Sequence, residues 1–190
     1  MTALALTLSN RYFPRLTAWT RDLTLILTGT LLAAALAQVK IPLPFTPIPL
    51  TGQTFAVLLA GAALGSKRGA LSMMLYVALG AAGLPVFAGG AGGLGYLTGA
   101  TFGYLIGFVA AAWVIGLLAE RGLERSVRTS ILPFIVGTII IYAFGVGWLA
   151  FVLGSFSKAL TAGLFPFLIG DAIKLTAAAL VLPAAWKLAK

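Results

Sequence analysis

Among the four acidic side chains of this 190-residue chain, Asp171 stands three residues before a base, in Gly170-Asp171-Ala172-Ile173-Lys174. The runs on either side, 164–169 and 175–182, are apolar. In a membrane helix an ionised Asp or Lys near the midplane costs roughly 2.5–3.5 kcal/mol. On a helix, positions i and i+3 share a face, here with Phe167 and Ala178. A carboxylate so placed accepts hydrogen bonds from ligand N–H groups, and the ammonium donates to a ligand carbonyl or carboxylate. The competing reading is a structural ion pair that neutralises itself, which is a poor source of stability. The expectation is therefore a binding site or ion path inside a membrane, where a ligand rather than neighbouring side chains completes the pair's hydrogen bonding.

Few other residues could join such chemistry. Gln53, in Thr51-Gly52-Gln53-Thr54, is either a ligand contact or a helix cap. Phe87, Tyr96, Tyr104 and Trp148 can supply an apolar wall with polar tips. Gly90-Ala91-Gly92-Gly93-Leu94-Gly95 matches a dinucleotide fingerprint in form, but no strand precedes it, so that reading fails. Its useful reading is a loop, with Gly90 and Gly92, whose backbone approaches or closes over a ligand. His and Cys are absent, which excludes a Cys/His metal site and disulfides. No phosphate-binding G-x-x-x-x-G-K-[ST] occurs, and no second acid or His joins Asp171 for acid–base work. Catalysis and a cofactor are not expected; ligand binding is.

The elements that must position these residues are membrane helices. The chain is 61% hydrophobic and 9% charged, with mean hydropathy +1.06, against about 25% charge in soluble domains. Six apolar segments are predicted: Leu23–Val39, Gln53–Leu64, Ala70–Ala82, Ala100–Ala119, Ile131–Val152 and Gly163–Trp186. This makes an all-α integral membrane protein, a bundle of six transmembrane helices in one domain, 22–190, after a leader, 1–21, that is cytoplasmic or interfacial. Prolines 42, 44, 47 and 49 turn Ile41–Leu50 into an extended loop. The glycine density of Gly83–Gly99 forbids a helix there. Small residues at Gly99, Gly103, Gly107 and Ala111 suit backbone-to-backbone helix packing, and Gly29, Ala33 and Ala37 form a similar stripe.

The net charge of +9 is read as topology signal rather than nucleic-acid affinity. With both termini cytoplasmic, ten of the thirteen bases lie inside (Arg11, Arg15, Arg21, Lys67, Arg68, Arg121, Arg125, Arg128, Lys187, Lys190) and two outside, Lys40 and Lys158. The thirteenth is Lys174, within a span. The proline and glycine loops then face outward. Asp171 lies about eight residues into its span, roughly 12 Å deep.

The run from Ile41 to Gly61, Ile41-Pro42-Leu43-Pro44-Phe45-Thr46-Pro47-Ile48-Pro49-Leu50-Thr51-Gly52-Gln53 and onward, resembles the signature of the BioY family. These are biotin-binding S components of energy-coupling-factor (ECF) vitamin transporters. Gly83–Gly90 with Gly92-Gly93-Leu94-Gly95 is similar to the family's outer loop, Gly103–Phe108 to its following helix, and Gly170–Lys174 to its last one. Gly52 stands where the family often has a larger apolar residue. The resemblance implies six helices, biotin as substrate, and a bacterial plasma-membrane location. It implies partners too: a transmembrane coupling subunit and cytoplasmic ATPases. It further implies that Asp171 and Lys174 contact biotin, that the glycine loop covers the site, and that Ala33 and Ala37, an A-x-x-x-A pattern, dock the coupling subunit. A stand-alone secondary biotin transporter, a monomer or homo-oligomer with Asp171 carrying a proton, is the alternative.

Overall fold

The computed structural model describes residues 3–189. It is mostly helical. In chain order the helices are α1 (Leu4–Tyr12), α2 (Ala18–Ala37), α3 (Gln53–Leu64), α4 (Ser66–Ala81), α5 (Leu94–Leu97), α6 (Phe102–Ala119), α7 (Val127–Leu153), α8 (Phe156–Gly163) and α9 (Leu168–Ala189). Two short strands, β1 (Lys40–Ile41) and β2 (Leu50–Thr51), pair antiparallel between α2 and α3.

Among the described residues, four stretches are long and apolar enough to cross a membrane: Ala18–Ala37, Phe102–Ala119, Val127–Leu153 and Phe156–Ala189. They coincide with four of the six expected segments. The other two, α3 and α4, have 12 and 16 residues. At 1.5 Å per residue these reach about 18 and 24 Å, short of a hydrocarbon core of about 30 Å. The outer surface suits lipid: Ile139, Phe151 and Ile169 are 61%, 79% and 78% exposed. The interior combines large side chains such as Tyr76, Phe87, Phe134 and Leu149 with alanines and glycines at the helix crossings.

The reason is close helix approach. A Cβ on Gly103 would strike Trp148 and the Phe144 carbonyl, and one on Gly107 would come within 3.0 Å of the Ile141 Cα. These two glycines let α6 lie against α7, with Ala111 and Ala112 fully buried in the same helix. The structural reading of that stripe is the observed one. Gly29, Ala33 and Ala37 likewise serve the bundle interior, where α2 meets α3 and α4. Ala33 is 1% exposed and Ala37 0%. Both therefore pack inside their own chain.

Local chemistry moves several expected boundaries. The leader contains a helix, α1, that packs on α3 and α9 and buries Leu4. Ser126 caps α7, its hydroxyl accepting from the Thr129 N–H, so this helix starts at Val127 and carries Pro133 in its interior. One helical turn, α5, survives in the glycine-rich loop. Its entry at Gly93, φ +91°, is a conformation open chiefly to glycine. The last expected segment, Gly163–Trp186, opens on a break: α8 ends at Gly163, a 3-10 turn covers Phe165–Phe167, and α9 begins at Leu168. Asp171 therefore lies in the first turn of α9, not eight residues into a continuous helix. There the partial positive charge of the helix N-terminus favours its carboxylate.

Candidate ligand site

The proline loop, α3, α6, α7 and the start of α9 surround one cavity. The β1–β2 pairing closes the base of the proline loop, and the Thr46 hydroxyl donates to the Ala162 carbonyl at 2.6 Å, anchoring the loop's far end. Ile48 and Pro49 thereby face the cavity. Gly52 explains its own presence: a Cβ there would lie 2.8 Å from the Leu36 carbonyl oxygen, so a larger residue would push α3 away from α2. The cavity is tight, with about 50 Å³ of accessible space, below the roughly 300–1,000 Å³ typical of small-molecule sites.

Its polar end is the Asp171–Lys174 pair, with Lys174 Nζ 2.9 Å from Asp171 Oδ1. Lys174 also donates to Thr54 Oγ1 at 2.9 Å, and the Thr54 hydroxyl donates in turn to Asp171 Oδ1 at 3.1 Å. The Tyr142 hydroxyl donates to the other carboxylate oxygen, Oδ2. Asp171 is 8% exposed and accepts from three protein donors. This corrects the expectation that neighbouring side chains leave the pair unsatisfied. Its buried charge is balanced inside the chain, as buried charge must be.

A second polar cluster lies beside it. Gln53 opens α3, but Gly52 is the cap position, and Gln53's side chain turns inward. Its Nε2 donates to the Tyr76 hydroxyl at 2.6 Å, and its Oε1 accepts from the Thr51 hydroxyl at 2.9 Å. Tyr104 donates to the Gly163 carbonyl at 2.7 Å, tying α6 to the end of α8. Gly163 itself must be small, since a Cβ would meet that hydroxyl.

Five of the expected site residues, Asp171, Lys174, Gln53, Tyr96 and Tyr104, line this one cavity. Three do not. Phe87 is fully buried behind it, stacked on Tyr96 at 4.7 Å and edge-on to Tyr76 at 5.6 Å. It holds the Tyr96 ring at the wall. Gly90 and Gly92 are exposed in the loop outside, where Gly92 lies against the Leu84 carbonyl and Gly90 turns the chain at φ +77°. Trp148 also stands off the cavity, its indole donating to the Gly99 carbonyl at 2.9 Å.

Sequence reasoning missed Thr54 and Tyr142, the two hydroxyls that satisfy Asp171. Each had a signal. Tyr142 is the one hydroxyl of the otherwise apolar run 139–153, and Thr54 is one residue past the Gln53 that was singled out.

The family model described as "BioY family" matches residues 6–190. The chain belongs to the BioY family. It is 40% identical over 171 residues to the biotin transporter BioY of Rhizobium etli, covering 85% of this chain and 91% of that protein. It is 44% identical over 157 residues to the biotin transporter BioY of Thermotoga maritima, covering 83% and 92%. Among solved structures, it superposes on the S component for biotin from an ECF-type ABC transporter with a TM-score of 0.82 at 28% identity. That match covers 90% of this chain and 95% of the other. BioY is a family of transport proteins, not enzymes, and the chain is a multi-pass membrane protein of that kind.

Proposed function

We propose that this BioY protein is a biotin-binding membrane subunit that captures the vitamin in the cavity between the proline loop and α9. The observation that carries the reading is a carboxylate and an ammonium 2.9 Å apart at the buried end of a cavity whose remaining wall is mostly aromatic and aliphatic, with Gln53 and three threonines. Biotin's features are complementary to it. Its ureido group offers two N–H donors and a carbonyl, its bicyclic ring is apolar, and its tail ends in a carboxylate. Asp171 accepts from the ureido N–H groups and Lys174 donates to a ligand oxygen. Gln53 and Tyr104 add polar contacts, and Tyr96, backed by Phe87, forms the apolar wall. The loop of Gly90 and Gly92 covers the mouth. An ionised acceptor pairs strongly with neutral donors, at about 1.5–3 kcal/mol for each charged hydrogen bond.

In this reading the fold is the six-span bundle, with α3 and α4 completing their spans through the adjoining loops. The termini face the cytoplasm of a bacterial plasma membrane, which the ten-to-two division of bases supports. Uptake is energised by a transmembrane coupling subunit and cytoplasmic ATPases, since the chain carries no P-loop of its own. Calorimetry of the purified chain tests binding. Biotin gives a saturable one-to-one isotherm, while thiamine and riboflavin give none; a flat biotin trace refutes the reading. The connected Tyr142–Asp171–Thr54–Lys174 chain favours one second reading, a proton-coupled transporter acting alone. Gradient-dependent biotin uptake into proteoliposomes holding only this chain decides for it.

A further inference from the structure

Tyr142 and Asp171 line two spaces at once. One is the ligand cavity. The other is a wider apolar crevice between α7 and the α8–α9 hairpin, walled by Ile139, Leu160, Leu168 and Leu175 among others. Ile139 and Leu168, at 61% and 47% exposure, mark the crevice as open on the lipid side. The Asp171 carboxylate thus stands between a polar cavity and hydrocarbon, where an uncovered ion is costly. What covers it is Tyr142. The hydroxyl donates to Oδ2, and the ring is held edge-on to Tyr104 at 6.5 Å. Tyr104 is itself fixed by its bond to the Gly163 carbonyl. The brace therefore runs from α8 through α6 to α7 and ends on the first turn of α9.

Resting on the biotin reading, we infer that Tyr142 is a positioning residue with two tasks. Its hydroxyl turns the Asp171 carboxylate toward the ligand, and its ring partitions the ligand cavity from the lipid-facing crevice.

Two substitutions separate the tasks. Tyr142→Phe keeps the ring and loses the donor; Tyr142→Ala loses both. Calorimetry on nanodisc-embedded protein reads the first task. Tyr142→Phe is expected to weaken biotin binding by about 10- to 100-fold, the usual effect of removing one hydrogen bond to a charged group. The chain has no cysteine, so a single Leu105→Cys change inside the cavity wall reports on the second task. Its labelling by a bilayer-partitioned N-alkyl maleimide is slow in the parent and in Tyr142→Phe, and at least tenfold faster in Tyr142→Ala. Wild-type affinity in Tyr142→Phe overturns the orienting role. Equal labelling in Tyr142→Ala and the parent overturns the partition. If the wild type binds no biotin, the reading of the ligand fails, while the labelling arm still reports on the partition.

Discussion

Two buried acids, one at each end of the bundle, are treated in opposite ways. Asp171 sits at the ligand cavity with Lys174, Thr54 and Tyr142 all donating to it. Glu124 sits in the connection between α6 and α7 and is 0% exposed. Among the described residues neither of its carboxylate oxygens has a hydrogen-bond partner, and the Arg125 Nε is 3.8 Å away. Burial pushes the Glu124 carboxyl above its ordinary range, against weaker opposing pulls that include Arg125 and Trp186. The ring of Trp186, under the Arg125 guanidinium at 4.5 Å, belongs to α9, the helix that also carries Asp171. One helix thus spans from an acid held by three close donors to one held only by a longer ion pair. Compensation by donors keeps a buried carboxylate ionised. Where compensation is weak, burial decides and favours the neutral form.

The comparison can be broken by removing charge at each end. Asp171→Asn removes the charge and replaces one acceptor oxygen with a donor while preserving shape. Biotin affinity should fall by more than 100-fold, about 3 kcal/mol, with the size-exclusion profile of the solubilised protein unchanged. Lys174→Met leaves the carboxylate with two donors rather than three. Breaking a buried pair from one side costs about 3–5 kcal/mol in a fully dry site, and less here because the lysine side chain retains 18% exposure. A lowered melting temperature together with weakened biotin binding is expected; a change in neither would make the pair ornamental.

Glu124→Gln should have the smallest effect and the opposite sign. A carboxyl raised in the folded state binds its proton more tightly than in the unfolded chain. Its stabilising contribution is therefore present below the ordinary carboxylate range and lost as pH rises through the raised value. The variant should melt at or slightly above the wild type near pH 8, with a flatter dependence on pH. A substantial loss of stability at pH 8 would show instead that the ionised form is held in place.

The sequence made the interior polar pair legible because charge in an apolar run has few bland explanations. The α6 stripe was legible for a related reason: glycine every fourth residue has one main structural use. Other features depended on contacts that no local pattern contains. The break at Gly163–Leu168, which sets Asp171 at a helix start, follows from the Tyr104 bond to Gly163 and the following Phe-Pro-Phe turn. Phe87 looked like cavity wall and is its backing, since Gly80 leaves a space that its ring fills. Ala33 and Ala37 carried a docking pattern, and the same small side chains also suit the interior face on which α2 meets α3 and α4. Thr54 escaped because Thr hydroxyls in membrane helices commonly bond their own backbone, and Tyr142 because most aromatics in a membrane helix face lipid or core; only the fold aims these two at Asp171.

The most direct measurement is a crystal structure of the chain with biotin bound. A ureido nitrogen within hydrogen-bond distance of the Asp171 carboxylate, and Lys174 Nζ on a ligand oxygen, is the result expected. Biotin seated elsewhere, with Asp171 and Lys174 still joined to Thr54 and Tyr142 as they are now, would contradict the account.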